Sequence, residues 1–156
     1  MSIAYFQNMA YDILLPLPNG WTSETDSYMD ESGTEVTHFE AHLCGSEKDR
    51  EEAMIDIYVG DMPEDETAED QAFANYAETV GFDESDPEDF NPIVKIKFNG
   101  KNAWGFEALC EDDSPMRFLA QEVRSGVLAI IVFAGKDART IVEVQNLIER
   151  SFRVAK

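Results

Sequence analysis

The sequence predicts an α+β fold in which an antiparallel sheet of about six to seven strands carries helices on both faces, an α/β/α sandwich. Three observations predict it. Residues 35–43 and 53–59 alternate polar and apolar with the period of two that a half-buried strand requires. The dipeptides Asn99-Gly100 and Ser125-Gly126 each separate two apolar-rich runs, the signature of tight hairpins. Two further stretches, near residues 67–80 and 138–152, repeat their apolar positions at helical spacing. The 156 residues fit one domain spanning 1–156, and 44% hydrophobic content is enough to build a core.

In chain order, residues 11–15 form a short apolar strand that runs into Pro16 and then Pro18-Asn19-Gly20, a turn. Trp21 follows and caps the edge of the core. In residues 35–43, Thr37, Phe39, Ala41 and Leu43 face inward while His38, Glu40 and His42 face out. A polar loop, 45–52, leads to a strand that turns Ile55, Ile57 and Val59 to one side, so these two strands read as a hairpin. From Thr67 the period becomes helical: Ala68, Ala72, Phe73, Tyr76, Ala77 and Val80 make one stripe, and Gly81 ends it. Thr67 and Asp70 have the spacing of a capping box.

Residues 83–91 are acidic and contain Pro87, a surface loop. The two hairpin turns then define four consecutive antiparallel strands, 93–98, 102–110, 116–124 and 127–133. The last of these is apolar at every position, the pattern of a central strand covered on both faces, which calls for helices on both sides of the sheet. A final helix after Asp137 turns Ile141, Val144, Ile148 and Phe152 inward, with Val142 and Leu147 widening the stripe.

The order of these pieces resembles the PsbP-like superfamily, which includes the photosystem II extrinsic protein, the Ran-binding Mog proteins and bacterial effector-associated chaperones. The residues that carry the resemblance are Leu17-Pro18-Asn19-Gly20-Trp21 after an N-terminal strand, the acidic lead into the first helix, the later meander and Leu147-Ile148-Glu149-Arg150-Ser151-Phe152 in the closing helix. The resemblance implies a sheet sandwiched by helices and used as a docking module. It transfers no functional residue.

Twelve basic and 32 acidic side chains give a net charge of −20. Such a field repels phosphate backbones and anionic lipid, which speaks against nucleic acid and membrane partners, and it attracts basic protein surface and, weakly, divalent cations. The acidic runs 61–70 and 83–89 lack the spacing of a calcium loop, so diffuse cation accumulation is the expectation there. Residues 1–11 show no charged and then apolar leader and no run is long enough to span a membrane, so the expected location is the cytoplasm. Cys44 and Cys110 are sparse enough to read as free thiols.

The one constellation with chemical promise is His38, Glu40, His42 and Cys44, alternate residues on one strand face and each a metal ligand type. A solvated polar stripe opposite an apolar face produces the same spacing. The chain has no nucleophile elbow, phosphate loop or dinucleotide fingerprint, and its two histidines lie within five residues of each other on one strand. No catalytic residue and no cofactor are therefore assigned. Trp104 and Phe106 share a face with Ala108 and read as core under a helix, while Tyr5, Phe6, Tyr11, Tyr28 and Met29 are candidates for a contact patch.

The expected function is a non-enzymatic, chaperone-like or adaptor module whose acidic surface selects a basic or amphipathic protein. The alternatives are a metal-binding protein or metal-dependent enzyme built on His38, Glu40 and His42, and a structural subunit of a homo-oligomer. The sequence leaves partner identity and oligomeric state open.

Overall fold

A computed structural model describes residues 11–44, 51–80, 93–110 and 114–155. Its strands are β1 (Asp12–Leu14), β2 (Trp21–Met29), β3 (Glu35–Cys44), β4 (Glu51–Asp61), β5 (Val94–Phe98), β6 (Lys101–Leu109), β7 (Pro115–Arg124), β8 (Val127–Gly135) and β9 (Arg153–Ala155). The helices are α1 (Ala68–Val80) and α2 (Ala138–Ser151). Seven strands pair antiparallel in the order β2-β3-β4-β8-β7-β6-β5, and β1 pairs separately with β9.

Register sorts the side chains. Phe39, Ile57, Ile131 and Leu119 lie in one cross-strand row on the first face of the sheet, and α2 packs there through Ile141, Val144 and Ile148 to close the main core. On the second face, Phe106 stacks on Phe118 at 4.8 Å and meets Tyr76 of α1 edge-on at 5.0 Å. Trp104 is half-buried beside them, so this pair belongs to the packing under α1, as its alternation predicts.

Helix ends and turns follow local chemistry. The Asp70 carboxylate accepts from the Thr67 N–H at 2.9 Å while the Asp70 N–H donates to Thr67 Oγ1 at 3.2 Å, the reciprocal capping box. Asp137 caps α2 by accepting from the Thr140 N–H at 2.8 Å. Asn99 and Gly100 both take positive φ, 54° and 83°, which a two-residue hairpin of this twist demands and which Asn and Gly tolerate. The expected helix end at Gly81, the loop 83–91 and most of the loop 45–52 lie outside the described residues.

The expected α/β/α sandwich is corrected. The fold is mostly β, with two helices only among the described residues, each covering part of one face, so the sheet is not sandwiched between helical layers. α1 lies over β6 and β7, and among the described residues no helix lies over the same face of β2, β3, β4 and β8. The apolar run of β8 pointed to a helix above each face, but Ile130 and Val132 on its second side are only half-buried. Two smaller expectations also change. Val142 is 47% exposed instead of widening the α2 stripe, and Phe152 is buried not as a helical residue but as the C-cap, after which the chain turns into β9. No helix among the described residues is long and apolar enough to cross a membrane.

Candidate functional site

The part of the second face that neither described helix covers forms a groove of about 530 Å³. Its floor is apolar, with Val36 of β3, Phe118 of β7, and Leu128, Ile130 and Val132 of β8. These residues sit there because alternate positions of a strand must point to one face, and neither described helix lies above this part of it. One wall is the end of the β2–β3 hairpin, where Tyr28 and Asp30 reach the groove, and the other is Gln71 and Asn75 of α1. Asp61 stands at the rim and accepts a hydrogen bond from the Tyr11 hydroxyl.

The hairpin wall is held by its own turn. Asp30 Oδ1 accepts from the Ser32 N–H at 2.9 Å, the Ser32 hydroxyl at 2.7 Å and the Thr34 N–H at 3.0 Å. These bonds, the Ser32 hydroxyl foremost, favour the ionised form and hold the Asp30 carboxyl below its usual range.

At the groove's β3–β4 side lies the polar cluster. His38 Nε2 is 2.8 Å from Asp56 Oδ1, and the other ring nitrogen, Nδ1, is 3.4 Å from Asp26 Oδ1. The His38 ring stacks on Tyr58 with centroids 4.5 Å apart and planes 5° from parallel. Tyr58 also lines the groove, so it joins the two features. Burial, then the charges of Asp56 and its neighbours, push the Tyr58 phenol up to about 12 because both disfavour phenolate. His42 Nε2 is 2.8 Å from Glu40 Oε1.

The sequence placed His38, Glu40 and His42 on one outward face, and they are there. The structure brings His38 and Glu40 together with Asp56, whose ligand atoms lie within 4.8 Å of one another, and sets His42 to the far side of Glu40. Asp56 and Asp26 escaped sequence reasoning because their place beside His38 follows from the β4 and β2 registers, Glu40 opposite Asp56 and His38 opposite Asp26. The Cys44 side chain, Tyr5, Phe6 and the 83–89 acidic run lie outside the described residues. The 61–70 run contributes to no such ligand group among the described residues. Of the contact-patch candidates, Tyr28 is 45% and Met29 66% exposed, and Cys110 is a free thiol.

No family model, no curated protein and no solved structure matches this chain.

Proposed function

We propose that this chain is a non-enzymatic protein-binding module that seats a basic, amphipathic segment of a partner protein in the groove between α1 and the β2–β3 hairpin. The observation that carries the reading is an apolar floor with acidic side chains at its edge, on a part of the sheet that neither described helix covers. A partner's apolar side chains would gain by leaving water on Ile130, Val132 and Phe118, each buried Å² being worth roughly 25 cal/mol. Its cations would meet Asp30 and Asp61 within the field of a −20 protein, which steers association and rejects acidic competitors. The resemblance to PsbP-like docking modules is in keeping with this reading. A free thiol at Cys110 is in keeping with a reducing, cytoplasmic setting.

Fluorescence anisotropy tests it with three labelled helical peptides: basic amphipathic, acidic amphipathic, and basic with scrambled apolar positions. The first alone should bind, binding should weaken as salt is raised because exposed charges are screened over ~8 Å at physiological ionic strength, and Ile130→Asp should abolish it. Equal binding of the scrambled basic peptide would reduce the interaction to non-specific charge attraction and defeat the proposal.

A further inference from the structure

The geometry points to a divalent transition-metal site of the zinc type formed by His38, Glu40 and Asp56, with Asp26 as the outer carboxylate that orients the histidine. It stands apart from the groove reading, since a metal can bind here whether or not a peptide binds there.

Three features converge. The ligand atoms of the three residues lie within 4.8 Å of one another, and they come from adjacent strands whose pairing fixes their backbones. Zinc bonds to imidazole nitrogen and carboxylate oxygen run about 2.0–2.2 Å, so two ligands at a tetrahedral centre lie roughly 3.3 Å apart. The 2.8 Å contact between His38 and Asp56 must therefore open by roughly half an ångström. Glu40, the longest of the three side chains, must swing in. Both are side-chain rotations that leave the strands in place.

Second, His38 is held as a ligand would be. A metal-binding histidine generally gives its other ring nitrogen to a carboxylate or carbonyl, and here Nδ1 faces Asp26 while Nε2 faces Asp56. The Tyr58 ring lies flat against the imidazole and fixes its plane. His38 and Asp56 side chains are only 18% and 19% exposed, so the site is partly shielded from competing water.

Third, Glu40 has two oxygens. One can reach the metal while the other keeps His42, which then serves as an outer-shell partner and not as a ligand. Three protein ligands leave a fourth position open to water. The imidazole selects zinc-like ions over magnesium and calcium, which take all-oxygen sites.

Zinc competition against a chromophoric chelator tests this on the full chain stripped of metal, in 0.5 M NaCl with millimolar magnesium present to occupy diffuse acidic sites. One equivalent should bind, with affinity lowered at least about 100-fold by His38→Ala and about 10-fold by Asp26→Asn, the range expected for an outer-shell partner. Asp61→Asn should leave it within about threefold, as Asp61 is neither a ligand nor an outer-shell partner. Because His38→Ala removes packing as well, the unaltered protein supplies a second readout. It contains two histidines only, so with His42→Ala as the assignment control, zinc must shift the His38 ring resonances in NMR until one equivalent is reached. Zinc binding that is weak, non-stoichiometric or indifferent to His38, or a His38 signal that zinc does not move, overturns the proposal.

Discussion

Thr37 is completely buried, and its hydroxyl has no hydrogen-bond partner among the described residues. Leaving a buried hydroxyl unpaired costs about 1–3 kcal/mol. Thr37→Val keeps the shape and removes the polar atom, so it should raise the free energy of unfolding by about 1 kcal/mol, read as a higher urea midpoint at constant slope. A lower midpoint would show that the hydroxyl is satisfied. Tyr58 makes a second prediction. Its phenol sits near 12 in the folded protein against an ordinary value of 10.0, so the folded state holds this proton more tightly than the unfolded chain. The stability this gives is complete below pH 10 and is lost as pH climbs towards 12. Phenolate absorbance should therefore contain a late component near pH 12 that Tyr58→Phe diminishes. Ionisation of Tyr58 near 10 would contradict the burial and charge crowding assigned to it.

At the scale of elements, the tightest constraint lies where β6 meets β7. A Cβ on Gly105 would stand 2.2 Å from the Phe118 carbonyl oxygen and 2.6 Å from a Leu119 methyl. Since the first obstacle is backbone, the strands themselves must part, and Gly105→Ala should cost about 2–3 kcal/mol. An unchanged urea midpoint would mean that the two strands are not so closely apposed. Elements were legible in the sequence in proportion to how one-sided they are. β3, β4 and the four strands from β5 to β8 announced themselves by alternation and by Asn99-Gly100 and Ser125-Gly126, and both helices by their caps and stripes.

β2 did not. Its residues are polar on both sides, because it is an edge strand with only Trp21 and Thr25 half-buried, so no alternation marks it, although its charges suit an edge. β9 was hidden in the apparent helical stripe that ends at Phe152. The candidate site divides the same way. His38, Glu40 and His42 follow from one strand's period, but Asp26 and Asp56 join His38 through the registers of the neighbouring strands β2 and β4, which the alternation of β3 does not set. Ile130 and Val132 were visible as apolar and misassigned to a helix contact, because hydrophobicity says that a face wants cover and not what covers it.

For the molecule as a whole, a charge of −20 and an apolar groove pull in different directions unless a partner unites them. The charge keeps copies of the chain apart, and the groove retains apolar surface that solubility alone does not call for. A basic amphipathic segment satisfies both. The most direct test is a backbone amide NMR titration with the basic amphipathic peptide. Shifts confined to β8, the end of the β2–β3 hairpin and the facing turn of α1, saturating with increasing peptide and absent in Ile130→Asp, are what the groove predicts. Shifts spread over acidic residues on all sides of the molecule, or gathered on the α2 face, would contradict it.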